Sequence, residues 1–329
     1  MKLVRAEKID SVADYAIVEG DIPQPKSDEL LVKVAVCGMG YVDALVAVGG
    51  YQVKPPVPFT PGQEVGGVVE AVGRDVEGFA VGDRVMVSLF GGGLAEYVAA
   101  PAQKAAKIPD AMTFAQAAGF RINYLTALHG LRDRADLQPG ERLLVFGAAG
   151  GVGTAAIQIG RLLGAKVIAA ASTEEKRAFA VDQGAQMTID TEVEGWRDRL
   201  KALCDGKGPD VIFDPVTGPL FEPAFRSLAW RGRHLVVGFI GGPIPRLPIN
   251  LSLMKGAALV GVDVRQFLLF EEEKAHAHLA EMLTWVADGK LSPPIGRRFD
   301  FSDFAEAMQF ALSGSGLGKT VIELTPEGT

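Results

Sequence analysis

Short apolar runs separated by glycine and proline fill the first third of the chain. They read KLVRAEKI, ELLVKVAVCGM, EVGGVVEAVG, DRVMVSLF and AEYVAA, at residues 2–9, 29–39, 64–73, 83–90 and 95–100. Runs of this length, rich in valine and bounded by turn residues, predict strands. Their close spacing predicts an antiparallel, partly barrel-like β domain.

From residue 142 onward the pattern alternates between apolar runs of strand length and segments with helical spacing. The strand-like runs are LLVFG, KVIAAA, MTI, DVIFDP, HLVVGF and ALVGVDV. Because parallel strands need a crossover to return, such alternation predicts a parallel sheet with helices on both faces. The predicted fold class is therefore α/β, with a doubly wound Rossmann-type domain beside a mostly β domain.

The last sixty or so residues have the pattern of two helices and a closing strand. We predict helices at about 271–288, ended by Gly289, and at about 303–312, with Ser302 as the N-cap. The strand KTVIEL follows at 319–324. Because this segment has no apolar core of its own, we expect it to return to the first domain. The predicted boundaries are 1–120 with 264–329 for that domain, and 121–263 for the Rossmann domain.

Composition and charge narrow the functional classes. The 329 residues carry a formal net charge of −7 and include only two cysteines, so a disulfide scaffold and a four-cysteine zinc site are excluded. The basic residues are scattered rather than clustered, which argues against nucleic-acid binding. The N-terminus is charged, and the uncharged stretch 143–160 contains five glycines, so we predict neither a signal peptide nor a membrane span. A cytoplasmic protein is expected.

The glycine-rich segment 143–160 carries the strongest motif. Its glycines at 147, 150, 151 and 153 follow an apolar strand and open a helix. Such glycines permit a tight turn and let the backbone approach a pyrophosphate, which the positive end of the helix dipole favours. The window 148–153 reads A-x-G-x-x-G, with alanine at the usual first glycine. We predict that the cofactor binds at Ala149, Gly150, Gly151 and Val152; a purely structural turn is the alternative.

The end of the next strand indicates which dinucleotide is used. NAD sites usually place Asp or Glu there to bind the ribose hydroxyls, but this chain has Ala171, followed by Ser172, Lys176 and Arg177. A hydroxyl and nearby cations suit the 2′-phosphate of NADPH. We therefore predict NADPH, with these last three residues as ligands. The alternative for Lys176 and Arg177 is that they are solvated helix residues.

Several segments in order resemble one known family. The series GQEVGGVVEAVG, GDRV, AEYV, NYLTA, GAAGGVG, DVIFDP and GKTVIEL resembles the medium-chain dehydrogenase/reductases, and within them the zinc-independent quinone oxidoreductases, the zeta-crystallin-like branch. The resemblance implies a GroES-like catalytic domain made from both chain ends, a central Rossmann domain, an active site in the cleft between them, and a homodimer joined through Rossmann edge strands.

The resemblance also bears on zinc. The positions where zinc-dependent relatives have a Cys and a His ligand are Gly40 and Gln63 here, and Val42 replaces the usual Ser or Thr proton relay. No metal site is therefore expected. Alcohol oxidation relies on zinc as a Lewis acid, whereas a quinone or an α,β-unsaturated carbonyl accepts hydride without it. We predict a small-molecule quinone or enone as the substrate.

Five further residues take candidate roles from the resemblance. Tyr51 matches a tyrosine that related enoyl reductases use near the reacting carbons, so it is a candidate proton donor or, alternatively, a packing residue. Tyr41 and Thr126 are expected near the cofactor, and Phe239 and Ile240 are expected to line the nicotinamide. Two other functions stay open: a 2-enoyl thioester reductase, and a nucleotide-binding protein without enzymatic activity.

Overall fold

The chain forms two compact units, each built on its own large β-sheet. The computed structural model describes residues 1–324. One unit comprises Met1–Ile122 and the segment that begins at Leu283, and the other is Asn123–Met282. A mostly β unit that uses both chain ends and an α/β unit between them agree with the predicted fold class.

The bounds of the elements follow chain order. The strands are β1 (Lys2–Arg5), β2 (Ala16–Glu19), β3 (Glu29–Met39), β4 (Glu64–Val72), β5 (Arg84–Ser88), β6 (Tyr97–Pro101), β7 (Ala105–Lys107), β8 (Arg142–Val145), β9 (Lys166–Ala170), β10 (Met187–Ile189), β11 (Val211–Asp214), β12 (Arg233–Val236), β13 (Ala258–Gly261), β14 (Ile295–Asp300) and β15 (Lys319–Glu323). The helices are α1 (Tyr41–Ala47), α2 (Phe114–Ala117), α3 (Arg121–Leu128), α4 (Gly151–Leu162), α5 (Glu174–Asp182), α6 (Trp196–Leu203), α7 (Phe221–Ser227), α8 (Asn250–Lys255), α9 (Val264–Phe270), α10 (Glu272–Ala287) and α11 (Phe304–Ser313).

The first unit is organised around the long strand β3. Its main sheet has the order β14-β15-β3-β4-β5-β7, and β6 also pairs with β3. The last strand, β15, lies antiparallel to β3 with Ile322 opposite Cys37, so the end of the chain does return to the first unit. Gly67 in β4 has a steric role there, because a Cβ atom on it would lie 2.2 Å from the carbonyl oxygen of Lys33.

The second unit is a doubly wound parallel sheet. Its strand order is β10-β9-β8-β11-β12-β13, and every pairing in it is parallel. The chain reverses direction across the sheet after β10, which places β11 beside β8. In folds of this kind ligands bind outside the carboxyl ends of the strands, at this reversal. The loops that follow β8, β9, β11 and β12 are therefore the expected ligand-binding loops of this unit.

The structure corrects the sequence prediction at three places near the C-terminus. Residues 264–282 belong to the second unit, where Phe267 stacks on His129 with ring centroids 3.9 Å apart. Ser302 is not the N-cap of α11, because residues 301–303 form a 3₁₀ turn and Asp303 takes that position. Strand β14 was not predicted. Its sequence, IGRRFD, alternates poorly because it is an edge strand with exposed arginines.

A cluster of hydrogen bonds and ion pairs around the Asp133 carboxylate, which is itself almost buried, ties α10 to the segment after α3. The Asp133 carboxylate lies 2.8 Å from His129 Nδ1, 3.0 Å from His278 Nε2 and 2.9 Å from Lys274 Nζ. Burial alone raises the pKa of Asp133, but the hydrogen bonds from these three groups outweigh it and hold that pKa well below its ordinary value. The cluster explains why 264–282 packs with the second unit.

Asp133→Asn is expected to lower the free energy of unfolding by about 2 kcal/mol, since it removes charge-assisted bonds from a buried site. A carboxyl group whose pKa is depressed by folding contributes stability above its unfolded pKa of about 3.9 and loses it as the pH falls. Urea unfolding at pH 7 and pH 3 measures this. The difference between wild type and variant should shrink at pH 3; a constant difference would contradict the electrostatic explanation.

Candidate functional site

The glycine-rich loop leads into a helix N-terminus that no side chain caps. Helix α4 begins at Gly151, and Gly150 occupies the N-cap position with extended backbone and no side-chain hydrogen bond. The first N–H groups of a helix have no partner within the helix, and its dipole is positive at this end. This end of α4 therefore suits an anion such as a pyrophosphate.

Two glycines of this loop have close neighbours, and the one that faces backbone must be glycine, whereas the one that faces a side-chain amide need not be. A Cβ atom on Gly153 would lie 2.2 Å from the carbonyl oxygen of Gly147, and one on Gly151 would lie 2.8 Å from Asn123 Nδ2. At Gly150 the nearest atom would be 3.5 Å away, the carbonyl oxygen of Gly147. A Cβ atom at position 150 would thus make only an ordinary van der Waals contact, so packing does not require this glycine, and it leaves the backbone of the loop without a side chain there.

The turn after β9 carries the residues predicted to select the cofactor. Ala171 is buried, and Ser172 is exposed. Arg177 Nη1 donates to the carbonyl oxygen of Ala171 at 3.0 Å, and Thr173, rather than Ser172, caps α5 by accepting from Lys176 N. Arg177 therefore holds the turn in place as well as supplying positive charge. Beside it a groove of about 500 Å³ opens, lined by Arg177, Thr188, Ile189, Asp190, Arg199, Ala202 and Leu203.

The other predicted residues of the second unit lie on two different elements. Thr126 is buried in α3. Phe239 and Ile240 follow β12 in the loop at the carboxyl end of the sheet, with 51% and 44% of their surface exposed. Apolar side chains this exposed are available to cover a flat ring.

In the first unit, a buried lysine lies between two buried carboxylates. Lys319 Nζ is 3.4 Å from Glu64 Oε2 and 3.7 Å from Asp43 Oδ2. Burial opposes the charge of Lys319, but Asp43 and Glu64 outweigh it and raise the pKa of the lysine. Burial raises the pKa of Glu64, although Lys319 partly opposes that rise. Sequence reasoning missed this triad; the available signal was a charged residue at the start of each of the apolar strands β4 and β15 and another within the apolar helix α1.

The positions of the zinc ligands in zinc-dependent relatives adjoin this triad. A Cβ atom on Gly40 would lie 3.1 Å from Asp43 Oδ2 and 3.2 Å from Lys319 Nζ. The backbone N–H of Gln63 donates to Asp43 Oδ1, and its Nε2 atom is buried without a partner among residues 1–324. Burial raises the pKa of Cys37 well above its ordinary value, which favours the thiol. The described part of the chain contains no cluster of three His, Cys, Asp or Glu side chains suited to a metal ion.

Both candidate tyrosines of the first unit lie close to α1. Tyr41 begins this helix and is half-buried. Tyr51 lies four residues beyond the helix end and packs, partly buried, against the apolar core of the unit. These positions leave the catalytic and cofactor roles of the two residues as predictions. Across residues 1–324, no helix has both the length and the apolar character that a bilayer crossing requires.

Comparison with known proteins gives consistent matches along the whole chain. Two family models match, Alcohol dehydrogenase GroES-like domain over residues 26–110 and Zinc-binding dehydrogenase over residues 151–284. The chain is 37% identical to a quinone oxidoreductase-like protein 2 homolog of Nematostella vectensis over 326 residues, 98% of this chain and 89% of that protein.

Solved structures agree with these matches. A mycobacterial protein complexed with NADPH superposes with a TM-score of 0.90 at 30% identity, covering 98% of this chain and 100% of its own. Escherichia coli quinone oxidoreductase complexed with NADPH gives a TM-score of 0.90 at 26% identity, with the same coverage.

Proposed function

Since this chain belongs to the quinone oxidoreductase branch of the medium-chain dehydrogenase/reductase superfamily, we propose that it is an NADPH-dependent, zinc-independent reductase of quinones or α,β-unsaturated carbonyls. The observation that carries the proposal is the uncapped N-terminus of α4 behind a glycine loop, in a chain without zinc ligands at 40 and 63. Its two cysteines are free and buried, which fits a reducing cytoplasm.

The residues of the second unit fit NADPH. The backbone at 149–152 would hold the pyrophosphate, because the first N–H groups of α4 have no partner within the helix and Gly150 has no side chain to obstruct the approach. Ser172, Lys176 and Arg177 would hold the 2′-phosphate, and Ala171 places no carboxylate against it. The NADPH found in the mycobacterial and E. coli structures supports this choice.

Zinc independence is supported by the charges of the first unit. Lys319 supplies a cation beside Asp43 and Glu64. A metal cation bound beside these carboxylates would be repelled by the Lys319 ammonium. A ligand side chain at position 40 would itself contact that ammonium. The matched family model named Zinc-binding dehydrogenase covers residues 151–284, a range that does not include positions 40 and 63.

The mechanism follows from these groups. NADPH, when bound, supplies a hydride. Phe239 and Ile240 would cover one face of the nicotinamide, and Thr126 and Tyr41 would contact the cofactor. Tyr51 would place its phenolic O–H at the substrate, donating a proton to the reduced product or orienting its carbonyl. An electron-poor conjugated acceptor needs no Lewis acid for this reaction.

One assay tests the proposal. Purified protein with NADPH is followed at the nicotinamide absorbance with a benzoquinone, a simple enone or a crotonyl thioester, and with NADP and an alcohol. Turnover of the quinone or enone is expected. Preference for the thioester would favour an enoyl reductase, turnover of the alcohol would contradict zinc independence, and tight NADPH binding without turnover would favour a non-enzymatic nucleotide-binding protein.

Tyr51→Phe is expected to lower kcat with an enone by about 10²-fold, because general-acid catalysis by one side chain contributes on this scale. The quinone rate should fall much less, since hydride addition gives a hydroquinone anion that solvent can protonate. The control is Tyr15→Phe, because the Tyr15 hydroxyl donates to the carbonyl oxygen of Ala47 and serves the fold of the same unit. Unchanged rates with both substrates would leave Tyr51 as a packing residue.

We also propose a homodimer formed through β13. This strand is the last of the six-stranded sheet, so its outer edge has no strand partner within the described chain. Apolar side chains around it are exposed: Leu253 by 84%, Met254 by 71%, Trp230 by 76% and Leu259 by 45%. An exposed apolar sheet edge invites pairing, and a second copy can satisfy it with two-fold symmetry.

Leu259→Arg is expected to convert the dimer to a monomer, because it would bury two charges near the two-fold axis. Sedimentation measures the mass directly. The control is Leu162→Arg in α4, which places the same charge on a leucine that is 37% exposed and far along the sheet from β13. A monomeric wild-type protein, or a dimeric Leu259→Arg variant, would contradict this interface.

A further inference from the structure

A buried histidine and aspartate connect two loops at the carboxyl end of the Rossmann sheet. His234 in β12 is fully buried, and its Nε2 atom lies 2.9 Å from Oδ2 of Asp214, the last residue of β11. The rings of Phe221 and Phe225 pack beside the imidazole, with centroids 4.8 and 6.2 Å away. The pair is therefore held in an apolar environment, where an ionic hydrogen bond is strong.

The second oxygen of Asp214 shapes the loop that follows β11. Asp214 Oδ1 accepts from the backbone N–H groups of Val216 at 2.9 Å and Thr217 at 2.8 Å. Thr217 has a φ of +48°, a conformation that costs energy for a β-branched residue. The imidazole thus orients a carboxylate that in turn maintains a strained turn.

This turn is bonded to the loop that follows β12. Thr217 Oγ1 donates to the carbonyl oxygen of Gly238 at 2.8 Å, and Gly241 N donates to the carbonyl oxygen of Val216 at 2.8 Å. These two bonds bracket Phe239 and Ile240. The turn after β11 also lies beside the glycine loop, because a Cβ atom on Gly147 would lie 3.3 Å from the side chain of Val216.

We infer that His234 and Asp214 form a positioning pair that orders the loops 215–218 and 237–241 before the dinucleotide binds. This inference rests on the proposed function. The pair touches no reacting atom; it acts by holding Thr217, and through Thr217 the backbone around Phe239. Ordering these loops in advance removes an entropic cost from cofactor binding. The expected consequence is tighter NADPH binding rather than a faster chemical step.

The test measures the Kd for NADPH by calorimetry with purified protein. His234→Phe keeps a ring but leaves Asp214 without its partner, and Kd is expected to rise about tenfold. His234→Gln retains an N–H donor and should recover much of the affinity. In steady-state assays the KM for NADPH should rise with Kd, while kcat at saturating NADPH changes less. Thr217→Val removes the hydroxyl that bonds to the carbonyl oxygens of Gly238 and Val216, and it serves if His234→Phe does not fold.

The matched control is His278→Phe. It breaks another buried histidine–aspartate contact of the same unit, 3.0 Å from Asp133, on α10. Both histidine variants should lower Tm, but only the His234 variant should raise Kd. A Kd that is unchanged in His234→Phe and Thr217→Val would overturn the inference. A wild-type protein that does not bind NADPH would instead overturn the proposed function.

Discussion

Lys319→Met is expected to lower the free energy of unfolding by about 4 kcal/mol, the largest stability loss among these variants. The substitution keeps the volume of the side chain but leaves Asp43 and Glu64 buried without their cation. Both carboxylates are almost inaccessible to solvent, and Lys319 joins β15 to residues far earlier in the chain. Urea unfolding followed by circular dichroism measures the loss.

The pH dependence of the stability loss in Lys319→Met shows whether it comes from the unpaired carboxylates. Burial already raises the pKa of Glu64, and removing Lys319 takes away the charge that opposes this rise. A carboxyl group with a raised folded pKa favours the folded state while it is protonated and destabilises it as the pH rises past its unfolded pKa of about 4.3. The loss should therefore be larger at pH 8 than at pH 5. An equal loss at both values would indicate lost packing instead.

Two comparison variants strengthen this test. Adding Glu64→Gln to Lys319→Met removes one of the unpaired charges and should recover part of the lost stability. Lys26→Met breaks an exposed ion pair with Glu29, and a pair of this kind contributes less than about 1 kcal/mol. If Lys26→Met cost as much as Lys319→Met, burial would not be the source of the effect.

Ala171→Asp combined with Lys176→Glu is expected to weaken NADPH binding relative to NADH by about 2–4 kcal/mol. The new carboxylates would repel the 2′-phosphate, and the charge-assisted bond from Lys176 would be lost. In contrast, an aspartate at the end of β9 can accept from the ribose hydroxyls of NADH. Titration of each dinucleotide with wild type and variant measures the change in preference.

A control variant shows whether the change in dinucleotide preference comes from charges at the predicted 2′-phosphate site or from the changed net charge of the protein. Lys166→Glu reverses a charge at the opposite, amino end of β9, where the side chain is exposed. Lys166→Glu should leave the affinities for NADPH and NADH almost unchanged, because at ordinary salt exposed charges more than about 10 Å apart are largely screened from each other. An unchanged NADPH preference in the double variant would refute the assignment of the 2′-phosphate site. The Tm of the double variant is also needed, because Ala171 is buried.

The elements predicted from periodicity correspond to those of the structure. The placement of the glycine-rich segment between a strand and a helix, the alternating strands and helices, and the return of the last strand are all confirmed. Each of these features depends on the local spacing of residue types, or on the fact that an apolar segment must pack against a hydrophobic core. The placement of 264–282 was wrong because it depends on Asp133, which no local pattern connects to His278 and Lys274.

The sequence by itself determined the fold class, the family and the position of the glycine-rich loop between β8 and α4, since these depend on periodicity and on residue types at short spacing. Only the tertiary structure shows which ionisable side chains contact each other. Lys319 and Glu64 are 255 residues apart in sequence, and His234 is 20 residues from Asp214. Contacts of this kind depend on strand order and register, which side-chain patterns constrain but do not specify. The residue types at positions 40 and 63 are given by the sequence, whereas the proximity of Lys319 to them depends on the pairing of β15 with β3.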